Sequence, residues 1–157
     1  MLKSKRTQLF WLSLIILVAS TYLLVTGSPV LMWNMKGKLP IPFGNITTWL
    51  GFIALNTTIR TGLSSIYSPI KRVHIGLSKV LNLALVIAVF WIPIGYLLSG
   101  NLSNSFGTGT GFQGSQTSMR IFWGVNYGLV LVPLIILTAY WIYKIIEKKK
   151  KGEQQTN

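Results

Sequence analysis

Residues 80–98 read VLNLALVIAVFWIPIGYLL, a run without one charged side chain, and this stretch decides the class of the fold. At 1.5 Å per residue, a helix of this length is close to the roughly 20 residues that cross the hydrocarbon core of a bilayer. Just before it, residues 71–79 read KRVHIGLSK, which sets Lys71, Arg72 and Lys79 at its beginning. Toward the N-terminus, residues 9–25 form a second apolar run, broken only by small hydroxyl residues and closed by Gly27, Ser28 and Pro29. Toward the C-terminus, residues 121–146 carry no acidic or basic side chain before Lys144. Between these lies 46–67, whose Asn56, Arg60 and several Thr and Ser residues lower its hydropathy.

The expected fold is an all-α integral membrane protein, a four-helix transmembrane bundle with spans at about 9–27, 46–67, 79–99 and 121–146. The outer loops are 28–45 and 100–120, and a basic cytoplasmic tail covers 147–157, all within one transmembrane domain. Composition agrees: half of the 157 residues are hydrophobic, 11% are charged and the mean hydropathy is +0.52. A soluble domain carries about 25% charged residues.

Basic residues near helix ends are retained on the cytoplasmic side. With four spans and the N-terminus inside, Lys3, Lys5, Arg6, Lys71, Arg72, Lys79, Lys144 and Lys148, Lys149, Lys150 and Lys151 all fall inside. Only Lys36, Lys38 and Arg120 fall outside. A three-span chain would misplace either the Lys71 and Arg72 pair or the lysine tail, so the charge count argues for the second span. The expected location is the cell membrane, multi-pass, with both termini cytoplasmic. The apolar part of the first run exceeds the 7 to 15 residues of a signal-peptide core, so it is expected to be retained.

The net charge of +13 is spread around apolar runs, which points to membrane lipids and not to nucleic acid. Lys148, Lys149, Lys150 and Lys151 follow the last span and are expected to attract anionic headgroups, at about 1 kcal/mol per basic residue. With no Cys, disulfides and thiol chemistry are excluded. The only acids are Glu147 and Glu153, so no span holds a carboxylate for acid–base work or for proton-coupled export. No metal site and no cofactor are expected, and the chain is expected not to be an enzyme. The single His74 lacks a second ligand for a haem on its side of the membrane and is expected to be a surface residue among basic neighbours.

Arg60 is the one formally charged residue deep in a span, and such a group is a functional-site hypothesis. Asn56, Arg60 and Ser64 share a helix face at four-residue spacing and form the candidate ligand or partner contact. Ala54, Thr58 and Gly62 form a small-residue series on roughly the opposite face, and Gly124 and Gly128 make a G-x-x-x-G pair; both are expected to permit close helix packing. Pro93 and Pro133 are expected to bend their helices. Ala84, roughly opposite Asn82 and on a face with Ile87 and Trp91, is expected to meet lipid. Residues 101–119 are uncharged and rich in Gly, Ser, Thr, Asn and Gln, which reads as a hydrated linker. Its G-x-G-x-x-G, from Gly109 to Gly114, lacks the strand and helix of a dinucleotide site. The N-x-S/T sequons at Asn45 and Asn101 fall on the outer side, and the one at Asn56 falls within a span.

These features favour a non-catalytic integral membrane subunit or assembly partner of a larger complex, with other membrane subunits or self-association as partners. The alternatives are a small transport or ligand-binding bundle for an anion or quinone-like lipid, and a membrane anchor of a respiratory oxidoreductase.

Overall fold

Helices account for most of residues 2–34, 41–103, 105–106 and 111–155, which are those described by the computed structural model. They are α1 (Leu2–Thr26), α2 (Phe43–Gly62), α3 (Ser64–Tyr67), α4 (Arg72–Val89), α5 (Trp91–Ser99) and α6 (Gln116–Gln155), with a 3₁₀ turn at Pro29–Met32. Among the described residues there is no strand, only one antiparallel bridge between Asn34 and Pro42. Lys5–Thr26, Arg72–Val89 and Gln116–Lys149 are each long and apolar enough to cross a membrane. The chain is therefore all-helical with three helices of membrane-crossing character, as an α-helical membrane protein requires. α2 has 20 residues but less apolarity, because Asn45, Asn56, Arg60 and its five threonines lower it. Ile15, Val18, Leu83, Leu97, Ile135 and Ile145 are all exposed, a surface suited to lipid and costly in water.

α2 sits in the middle. It packs along α1 on one side and against α4 and α6 on the other, while α6 also meets α4 and α5. The interior divides into two apolar clusters. One joins Phe52, Ala88, Trp91, Phe122 and Leu129, and the other joins Ile59, Ile66, Leu81, Ile136 and Tyr140. Between them α2 contributes Asn56 and α6 contributes Pro133, both fully buried.

The helices differ from the expected spans in ways with local causes. The second span ends at Gly62, because Leu63 leaves helical geometry (φ −96°, ψ 101°) before the single turn of α3. The third is interrupted at Phe90, and the cause lies at Pro93, which has no N–H to bond the Val89 carbonyl one turn back. α5 ends on Gly100 at φ +76°, a left-handed position that glycine takes without a Cβ penalty. α6 runs unbroken through Pro133 from Gln116 to Gln155, so much of the segment expected as a tail is helical. Its 40 residues span about 60 Å, twice the hydrocarbon thickness.

Three expectations are corrected. Ala84 and Trp91 are 6% and 3% exposed and do not meet lipid; α4 is covered on two sides, by α2 and by α6, so its apolar periodicity does not mark a lipid face. His74 is 8% exposed, packed against the rings of Tyr140 and Tyr143, and is not a surface residue. The linker folds back on the bundle: the Gln113 N–H donates to the Ser99 carbonyl at 2.9 Å, and Phe112 lies 5.6 Å from Phe122 between ring centroids. Part of its G-x-G-x-x-G lies outside the described residues.

Candidate functional site

The face of α2 that carries Asn56 and Arg60 turns inward. Asn56 has no exposed surface, and its Nδ2 donates to the Phe52 carbonyl one turn back at 2.9 Å. Its Oδ1 finds no hydrogen-bond partner among the described residues, and neither does Oδ1 of Asn82 in α4. Arg60, two residues before the end of α2, is half-buried, and its buried Nε is also without a partner among the described residues. A buried polar atom ordinarily finds a partner, and one left alone costs about 1 to 3 kcal/mol. Ser64, the third member of the series, begins α3 beyond the break at Leu63 and is exposed, so the structure does not bring it onto the same buried face.

The opposite, small-residue face lies along α1. The Thr58 hydroxyl donates to Oγ of Ser13 at 2.9 Å, Ala54 is buried, and a Cβ added at Gly62 would stand 3.0 Å from the ring of Phe10. About three turns earlier in the same groove, a Cβ on Gly51 would reach Ser20 at 3.4 Å. Helices without large side chains between them approach closely, and a hydroxyl pair bonds across the contact. The glycines of α6 behave differently. Among the described residues a Cβ at Gly124 or Gly128 would meet nothing within 4 Å, so the close approach expected there is not made between them.

Sequence reasoning missed two features at the ends of α2. Arg6 of α1 donates from Nε to the Thr61 carbonyl at 2.7 Å and from Nη2 to the Gly62 carbonyl at 3.3 Å, and its guanidinium lies 5.2 Å from the ring centroid of Tyr67. It thereby satisfies carbonyls that the break at Leu63 leaves without helical partners. At the other end, Asn45 is buried and its Nδ2 donates to the Leu102 carbonyl, which ties the start of α2 to the loop after α5. Asn101 likewise donates to the Gly111 carbonyl at 2.6 Å. The sequon amides of Asn45 and Asn101 are therefore both engaged inside the fold.

The third polar location is the basic end of α4 and α6. Lys71 pairs with Glu147 there, and Lys144 lies 5.1 Å from the ring centroid of Trp141. The Glu147 carboxylate, by accepting a hydrogen bond from Lys71, raises the ammonium pKa above its ordinary 10.5. Lys148 and Lys149 are exposed on the following turn of α6, whereas the side chains of Lys150 and Lys151 lie outside the described residues. Among the described residues no group of His, Asp and Glu has the composition to hold a metal ion.

Fold and polar sites together define a class: an all-helical, membrane-embedded bundle with a polar central helix. No family model matches the chain, and no curated protein and no solved structure is similar to it.

Proposed function

We propose that the chain is a four-span protein of the cell membrane with both termini cytoplasmic, acting as a non-catalytic subunit or assembly partner of a larger membrane complex. The observation that carries this reading is Arg60, whose buried Nε has no partner among the described residues while no span contains an Asp or Glu. A guanidinium placed there favours a counter-group, and no span of this chain carries an acid to supply it. An acidic residue on a neighbouring membrane helix supplies one without any reaction. The position of α2, between α1 and the α4–α6 pair, supports counting it as the fourth span. The eleven-to-three distribution of flanking basic residues supports the orientation.

Cysteines introduced at Ser105 and Gln154 test the topology: in sealed cells the first is labelled from outside and the second is not. Labelling of both from outside overturns it. Purification in mild detergent tests the role. A membrane protein retained in fixed ratio by the wild type and released by Arg60→Gln is the expected result. A chain that purifies alone, and is stabilised by an anion or a quinone only while Arg60 is present, points instead to the ligand-binding bundle; a visible haem spectrum points to the oxidoreductase anchor.

A further inference from the structure

The basic ends of α4 and α6 border an open cavity of about 270 Å³, whose lining includes Lys71, His74, Tyr140, Tyr143, Lys144 and Glu147. α4 begins in this wall without a cap: Lys71 at the N-cap makes no side-chain bond to the first turn, and that turn holds no acid. The first helical bond runs from the Ile75 N–H to the Lys71 carbonyl, so the N–H groups of Arg72, Val73 and His74 precede it and present the positive end of the helix dipole. Beside them His74 is 8% exposed, and neither of its ring nitrogens makes a hydrogen bond among the described residues. Tyr140 and Tyr143 hold the imidazole through ring contacts alone, with centroids at 5.7 and 5.3 Å. Lys71 and Lys144 outnumber the single acid, Glu147, which pairs with Lys71, so the wall keeps a net positive charge.

We propose that this cavity binds a phosphate group, held between the first turn of α4, His74 and Lys144. His74 and Lys144 line it beside the uncapped first turn of α4, and a tetrahedral phosphate has an oxygen for the ring, the ammonium and a backbone N–H, whereas a planar carboxylate offers only two. The group comes either from a lipid headgroup or from a soluble phosphate or its ester. Ile70, on the same wall and 92% exposed, offers an apolar flank that suits an acyl chain. The lipid source rests on the topology proposed above; phosphate recognition itself does not.

The full chain, purified in non-ionic detergent, is followed by thermal shift at constant ionic strength against inorganic phosphate and glycerol 3-phosphate. In nanodiscs it is compared between phosphatidylglycerol, whose phosphate is free to pair with the protein, and phosphatidylcholine, whose phosphate is already neutralised by its own choline cation. Stabilisation by the soluble probes assigns a soluble ligand, and stabilisation by phosphatidylglycerol alone assigns a headgroup; either supports the site. Lys144→Gln, on an exposed side chain, should weaken the effective probe by about tenfold or more. Glu147→Gln should strengthen it by releasing Lys71, and His74→Gln should weaken it. Lys5→Gln removes a charge near the same end but outside the cavity and should leave binding unchanged. No stabilisation by any probe overturns the proposal, as does an equal loss in Lys144→Gln and Lys5→Gln, which would mean diffuse surface charge. Neither result bears on Arg60, so the proposed assembly role stands or falls separately.

Discussion

The indole Nε1–H of Trp49 in α2 donates to the Val89 carbonyl of α4 at 3.0 Å. Val89 is the residue four before Pro93, and its carbonyl is the one that proline cannot bond. A backbone break that would be costly in lipid is thus repaired by a side chain from the neighbouring helix, and the repair locks α2 to the α4–α5 bend.

Trp49→Phe keeps the aromatic ring and removes the donor. It should cost about 1 to 3 kcal/mol, the range for a polar group left without a partner away from water, here a carbonyl that would face lipid. Pro93→Ala restores a backbone N–H for Val89, so the double variant should lose less than Trp49→Phe alone. Thermal unfolding of all four combinations in one detergent gives the coupling, and purely additive losses would detach Trp49 from the bend.

Some of this was legible in the sequence and some was not, for reasons that differ by residue. Runs without a charged side chain, such as 9–25 and 121–143, reveal membrane-crossing helices because the lipid imposes length and apolarity on each segment separately. The bend was legible from Pro93, although its repair was not, since nothing local links position 49 to position 89. Arg6 reads in the sequence as a charge that fixes orientation, yet in the fold it closes the carbonyl end of α2, a pairing across 55 positions. Ala84 misled for a related reason: a helix covered on two sides has no single lipid face for helical angle to find. Asn56 and Arg60 were visible as polar residues in an apolar run, and the structure adds that each keeps a buried polar atom without a partner among the described residues.

The contact between α1 and α2 depends on small groups at Thr58, Ser13 and Gly62. Thr58→Leu should overpack it and cost about 1 to 3 kcal/mol. Val86→Leu, on an exposed position of α4, should be nearly neutral. Equal tolerance in a detergent melting series would show that α1 does not dock there.

Glu147 raises the Lys71 pKa, which fixes the sign of a pH effect. A cation whose folded pKa lies above its unfolded value contributes stability fully below the unfolded value, 10.5, and loses it as pH rises through the raised folded value. The difference in melting temperature between wild type and Glu147→Gln should therefore be present at neutral pH and shrink as the solution is taken above 10.5. It should be small, because the pair is solvent-exposed. A difference that grows at high pH would mean that Glu147 stabilises the fold by some other contact.

Arg60 carries the heaviest functional weight and gives the sharpest test. A partly buried charge with an unpartnered Nε is a stability cost to the isolated chain, so Arg60→Gln should leave the purified protein at least as stable as wild type while releasing the partner. Arg60→Lys separates two ways of using the charge. A lysine reaches the interface on its long stem as well as an arginine does, so a side chain that only snorkels would tolerate the exchange. A guanidinium that engages a partner carboxylate through its planar fork would not, because an ammonium offers a point charge in place of paired donors. The expected pattern is a folded Lys variant with reduced partner retention and a folded Gln variant with none, read by co-purification beside melting temperature. Full retention in both variants would remove Arg60 from the assembly surface and take with it the observation on which the proposed role depends.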